Sequence, residues 1–266
     1  MPTAEPTGPP VVELVIGVQF SPLTKLTAGH YGLFWKELGQ EWGEPADQPP
    51  IEDQFELFDQ PLGSPGVVQF RFGPMPTTGR FLLYHRSGDR LVQLQPSRFH
   101  LNWRKRDGFY PSYTKLIAEF EAAYRQFERF VEANQLGPLL PNQWEMTYID
   151  AFPRGDHWQT PADWPSVLPG LFGQLFRADD LGIALERRTA EWSFEITPQR
   201  GRLHLAAAAG RWGVDECLLL TSTARGPVGS GSLTLREGLD LGHDAAVGAF
   251  NRLVAGVRRA EWEGQP

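Results

Sequence analysis

The 266 residues include one cysteine, four lysines (Lys25, Lys36, Lys105, Lys115) and no apolar run near the roughly 18–20 residues of a membrane span. A lone cysteine cannot close an internal disulfide. Cys217 sits in Cys217-Leu218-Leu219-Leu220, with no basic neighbour to activate it, and reads as a buried, inert thiol. The histidines (His30, His85, His100, His157, His204, His243) show neither H-x-x-x-H nor H-E-x-x-H spacing, so no metal site is expected. The acidic stretch 41–59 holds Glu44, Asp47, Glu52, Asp53, Glu56 and Asp59. It lacks the central glycine of a calcium loop and reads as a solvated or partner-facing loop. Gly229-Ser230-Gly231-Ser232 is neither a phosphate loop nor a nucleophile elbow, and no cofactor is expected. Residues 1–10 carry no Lys, no Arg and no apolar core, so the expected location is the cytoplasm.

What is present describes a folded chain. Apolar residues make up 41 % and aromatics 12 %, which excludes wholesale disorder. The formal charge of −7 opposes long-range attraction of a polyanion. β-branched and alternating segments predict strands at 11–20, 67–72, 80–86, 91–104 (with a bend at Pro96), 143–152, 183–196, 203–209 and 216–223. Periodicity of 3.6 predicts helices at 26–42, 112–135, 165–176 and 240–262, the last with Asp240 as its N-cap.

The order β-α-β-β-β-α then occurs twice. Tyr113 and Phe120 recur 130 positions later as His243 and Phe250, and Gly32-Leu33-Phe34 recurs as Gly170-Leu171-Phe172. The expected fold is therefore α+β: two β-α-β-β-β-α repeats, residues 1–137 and 138–266, forming one extended, mostly antiparallel sheet. Its helices would cover one face and leave the other free.

The opening strand after Pro9-Pro10, the segment Leu91-Val92-Gln93-Leu94-Gln95 continuing through Arg98-Phe99 to Asn102-Trp103-Arg104, the helix from Tyr113, the strand ending Tyr148-Ile149-Asp150 and the closing His243…Phe250 helix carry a resemblance. The chain resembles a sporadically distributed, uncharacterised bacterial protein family of about this length. The resemblance implies no activity, substrate or cofactor, and its patchy distribution implies mobile or defence-associated genes. That family's later strand has an Arg-Tyr-x-Asn core. Here it reads Thr147-Tyr148-Ile149-Asp150, so nothing done by that Arg or Asn carries over.

Candidate site residues follow from strand alternation. Phe99, Leu101 and Trp103 should meet the helices, which puts Gln95, Arg98, His100, Asn102 and Arg104 on the free face. Amides, an imidazole and guanidinium forks suit a protein partner or a small polar ligand. Tyr148, on the later strand, joins the candidate set. The leading expectation is a non-enzymatic binding protein. One alternative is a hydrolase-like enzyme using His100 with Asp150 or His243. Another is nucleic-acid binding through Arg98, Arg104, Lys105 and Arg106, disfavoured by the net charge. Trp158 and Trp164, in a Pro-rich loop, are candidates to line a contact surface.

Overall fold

The β-branched run after Pro10 forms β1 (Val11–Phe20), in which Leu14, Ile16, Val18 and Phe20 are fully buried along one side. The structure is a computed structural model and describes residues 10–58, 79–106, 110–155, 158–172, 183–229 and 231–254. The strand expected at 67–72 lies outside the described residues. After β1 come α1 (Ala28–Leu38), β2 (Ala46–Gln48), β3 (Arg80–Tyr84), β4 (Arg90–Gln95), β5 (Arg98–Arg104), α2 (Tyr113–Ala133) and β6 (Pro141–Pro153). Next are α3 (Trp164–Val167), β7 (Thr189–Ile196), the turn α4 (Thr197–Arg200), β8 (Gly201–Trp212), β9 (Asp215–Pro227) and α5 (Leu235–Leu253).

All described strands join one antiparallel sheet in the order β2-β3-β4-β5-β1-β6-β9-β8-β7. The α+β class expected from the sequence is therefore correct at this level. β2 is an additional edge strand within a segment read as loop. The bend expected at Pro96 is a reversal: Pro96 and Ser97 form a hairpin turn, so Gln95 pairs directly with Arg98. Proline cannot donate to a ladder, which places it naturally at that corner.

One side of the sheet meets the helices. The rings of Phe34 on α1 and Phe127 on α2 lie 6.4 and 5.4 Å from Phe99 on β5, and Leu116, Ile117, Phe120, Phe130 and Val131 extend the buried stripe of α2. α1 stops at Gly39, whose φ of 96° suits glycine. α5 begins one and a half turns before the expected cap. Thr234 accepts the Glu237 N–H through its hydroxyl while the Glu237 carboxylate accepts from Thr234, a capping box. Asp240 instead accepts from Tyr113 at 2.7 Å and from Arg236. The helix expected at 165–176 is, among the described residues, only the single turn α3. Trp158 and Trp164 do not line a contact surface. Both are buried, edge to face at 5.6 Å, and Trp158 Nε1 donates to the Phe152 carbonyl at 2.9 Å.

α5 approaches the sheet closely because glycines make room for Trp144. A β-carbon at Gly238 would lie 2.2 Å from Trp144 Cδ1, and one at Gly242 would lie 2.7 Å from Cζ3. Alanine in a helix is worth about 1 kcal/mol over glycine, whereas overpacking a core costs roughly 1–3 kcal/mol. Gly238→Ala is expected to lower the denaturation midpoint. Gly248→Ala on the same helix meets only the Arg252 side-chain tip at 3.4 Å and is expected to be neutral or stabilising. Equal stability of the two variants in a urea titration would contradict this packing.

Candidate functional site

In an antiparallel sheet, directly paired residues share a face. The register lines up Gln95 (β4), Arg98 (β5), Gln19 (β1) and Gln143 (β6) in one row on the side away from the helices. The next row is Gln93, His100, Gly17, Glu145, Arg225 and Arg202. The face assigned from sequence to Gln95, Arg98, His100, Asn102 and Arg104 is the observed one.

It is not a free face. Gln95, Arg98, His100 and Asn102 are each no more than 3 % exposed. Over the first row runs part of the acidic stretch, residues 51–57. Gln95 accepts the Ile51 N–H at 2.9 Å and donates to the Ile51 carbonyl at 2.8 Å. Arg98 Nη2 donates to the Glu52 carbonyl at 2.7 Å and to Gln19 Oε1 at 2.6 Å. Gln19 Oε1 also accepts the Gln54 N–H at 2.8 Å, and Gln143 Oε1 accepts the Glu56 N–H at 3.3 Å. Ser97 Oγ donates to Asp53 at 2.5 Å.

This strap crosses the strands rather than lying beside them. β4 to β8 is five inter-strand steps, about 24 Å at about 4.8 Å each. Six steps of extended chain reach about 20 Å, and long side chains close the remainder. A crossing segment cannot share the sheet's ladder, so its backbone groups need side-chain partners. Glutamine, with one donor and one acceptor end, supplies both.

The strap ends on a cluster of charges. Glu56, expected to be solvated, has a buried side chain. His204 Nε2 lies 2.8 Å from its Oε1, Arg202 Nη1 3.0 Å from its Oε2, and Arg225 Nη1 3.3 Å from its Oε1. Burial would raise the Glu56 pKa, but the bonds to His204 and Arg202 and the nearby Arg225 hold it below the usual value. Arg202 also donates to the Leu57 carbonyl at 2.8 Å.

Glu145 carries the network into the second row, with Oε2 at 2.9 Å from Arg225 Nε and 3.3 Å from Arg98 Nη1. Burial raises the Glu145 carboxyl, yet His100, Arg225 and Arg98 outweigh it and hold the carboxyl at about 2. Burial depresses His100 to about 4 against the opposing pull of Glu145, so its imidazole is neutral at neutral pH. Its ring lies over Gly17, where a β-carbon would stand 2.4 Å from Cδ2. Further along, Arg80 donates to Gln93, Gln93 to Asn102, and Asn102 to Glu13, at 2.9, 2.7 and 2.6 Å. Arg104 lies 3.5 Å from Glu13 and over the Trp212 ring, and Arg106 donates to the Gly88 carbonyl.

Tyr148 does not join these residues. It faces the helices, with its hydroxyl 2.6 Å from His243 Nδ1, and the Tyr113 ring stacks on that imidazole at 3.8 Å. Asp150 is on the same side as Tyr148, so the sheet separates His100 from both Asp150 and His243. Sequence reasoning missed Gln19, Gln143, Glu145, Arg202, His204 and Arg225. The alternation Gln143-Trp144-Glu145-Met146-Thr147 was the available signal for the first strand of the second half. Nothing in the acidic stretch marked Glu56 apart from its neighbours.

No family model matches the chain, and no curated protein matches it. Among the described residues, no group of three or more His, Cys, Asp or Glu is placed to hold a metal ion. No described helix is long and apolar enough to cross a membrane.

Two protonation effects follow. Glu145 and His100 both bind protons less readily folded than unfolded. Their contribution is complete above about pH 6.5 and declines as the pH falls through about 4 and then about 2. Asp150 has the opposite sign. Burial pushes its carboxyl up to about 7 from 3.8, so the folded chain favours the neutral acid, and stability declines from about pH 4 to 7. Asp150→Asn is expected to raise the melting temperature by several degrees at pH 8 and to leave it unchanged near pH 4. Thermal scans with equal shifts at both pH values would refute a buried ionisation penalty.

Proposed function

We propose that the chain is a binding protein, not a catalyst, and that it holds an extended segment of a protein partner across the polar side of its central strands. The observation that carries this reading is the strap. Gln95, Arg98, Gln19 and Gln143 bind the main chain of residues 51–56 through side chains alone. Such a clasp reads peptide units, independent of most side chains of the bound segment. The separation of His100 from Asp150 and His243 weighs against the enzyme alternative. For nucleic acid, Arg98 is buried under the strap, Arg104 faces Glu13 and Arg106 caps a hairpin turn, which leaves little of the expected basic patch.

The two-repeat architecture belongs to the same proposal. The order β3-β4-β5-β1 is mirrored by β6-β9-β8-β7, with β1 and β6 antiparallel at the middle. This supports a doubled β-α-β-β-β-α unit over residues 1–137 and 138–266. The clasp then draws Gln95, Arg98 and Gln19 from the first unit and Gln143, Arg202, His204 and Arg225 from the second. A cytoplasmic location completes the reading.

The test uses the full chain with its own strap weakened. Gln54→Pro removes a main-chain donor, and Glu56→Lys places a cation against Arg202 and Arg225. A fluorescent peptide of residues 49–58 is expected to bind this double variant saturably, with anisotropy as the readout. Adding Gln95→Ala and Gln143→Ala is expected to weaken binding about tenfold or more while circular dichroism remains native. No saturable binding to a natively folded double variant would reject the proposal.

A further inference from the structure

We infer that the partner segment is acidic, with a glutamate where Glu56 lies, and that residues 51–57 are its competitor in cis. This inference rests on the binding reading above. Three cationic side chains converge on the Glu56 carboxylate within 3.3 Å: Arg202, Arg225 and His204 when protonated. Without that carboxylate, Arg225 would keep only Glu145, which it shares with Arg98, and Arg202 would lose the carboxylate it pairs with. Cations withdrawn from water and left without a counter-charge are strongly unfavourable, so an occupant that displaces the strap has to bring a carboxylate of its own.

The strap is replaceable because of how it is held. Phe55 and Leu57 are 45 % and 44 % exposed, so its large apolar side chains are mostly outside the core. Its attachment is main-chain hydrogen bonds, the Glu56 carboxylate and the Asp53 carboxylate that accepts from Ser97, and an extended acidic peptide carries groups of both kinds. The hydrogen-bond pattern also separates peptide from nucleic acid. Gln95, Gln19 and Gln143 accept from backbone N–H groups, which a phosphodiester chain does not have. The carboxylate clamp adds side-chain specificity to a clasp that otherwise reads only backbone.

The wild-type chain, the Gln54→Pro/Glu56→Lys chain and the latter with Arg202→Gln are titrated with two fluorescent peptides. One is the natural 49–58 sequence. The other has glutamine in place of the glutamate at position 56, with Glu52 and Asp53 retained. The natural peptide is expected to bind the double variant at least about tenfold more tightly than the glutamine peptide, and Arg202→Gln is expected to reduce that ratio towards one. The wild-type chain is expected to bind the natural peptide at least about thirtyfold more weakly than the double variant, because its tethered strap competes at high effective concentration. Equal affinity of the two peptides would overturn the acidic preference and leave the clasp reading intact. Equal affinity of the wild-type chain and the double variant would overturn competition in cis. Binding of neither peptide to a folded double variant would remove the clasp reading itself.

Discussion

The Glu145 carboxylate holds together the half of this protein that the helices do not touch. It lies between Arg98 on β5 and Arg225 on β9, with β1 between Arg98 and itself. Two guanidinium groups buried on the same side of the sheet would repel one another, and Glu145 on β6, between their strands, is the negative charge that allows both to remain. The gap between them is passable because β1 has glycine at position 17. His100 lies over that glycine, and burial keeps it neutral, so it adds volume without adding another cation. Charge on this side therefore runs as an alternating line: Arg98, Glu145, Arg225, Glu56, Arg202. Successive members of the line lie on different strands or on the strap, so the line also fixes the relative positions of β5, β6, β9, β8 and residues 51–57.

Strand alternation keeps this chemistry apart from that on the helix side. There, Tyr148 and His243 share a hydrogen bond, Tyr113 stacks on the imidazole, and Asp150 is buried as an acid that favours its neutral form. The two sides differ in how polarity is tolerated. On the strap side nearly every charge has an opposite charge in contact. On the helix side the polar groups are mostly neutral, and the Ser222 hydroxyl is buried with no partner. An ion-paired layer is held by geometry and is sensitive to loss of one member, whereas a neutral polar layer is sensitive mainly to ionisation. The opposite pH dependences of Glu145, held ionised by its cationic neighbours, and Asp150, pushed towards the neutral acid by burial, are the direct expression of that difference.

Much of the fold was legible because it is written in local periods. The apolar alternation of 11–20 and 143–152, the stripe of 112–135 and the closing helix all express burial on one side, and burial follows directly from residue type. The face occupied by Arg98, His100 and Asn102 was legible for the same reason. What covers that face was not. Residues 49–58 contain two prolines and three carboxylates, a composition that water would solvate equally well. Their placement depends on Gln19, Gln95 and Gln143, which are far apart in sequence and meet only once β1, β4 and β6 are neighbours. Tyr148 entered the candidate set by its sequence position, without reference to the alternation of β6, which turns it to the helix side. The cap of α5 was misplaced for a simpler reason: Asp240 lies in a helical period that Thr234 and Glu237 had already begun.

The mode of attachment sets how firmly the strap is held. A β-strand in the middle of this sheet is fixed by two ladders and by side chains in the core. Residues 51–57 have neither ladder nor a deep apolar anchor, and a hydrogen bond exchanged with water is worth only about 1 kcal/mol net. Segments with few buried apolar contacts and side-chain-dependent hydrogen bonds open at lower free energy than the body of a domain. The strap is thus weakly held on a surface whose buried cations need a counter-charge. That combination distinguishes a bound segment from an integral layer. The sheet can remain intact while the strap exchanges, provided that whatever takes its place carries both a backbone and a carboxylate.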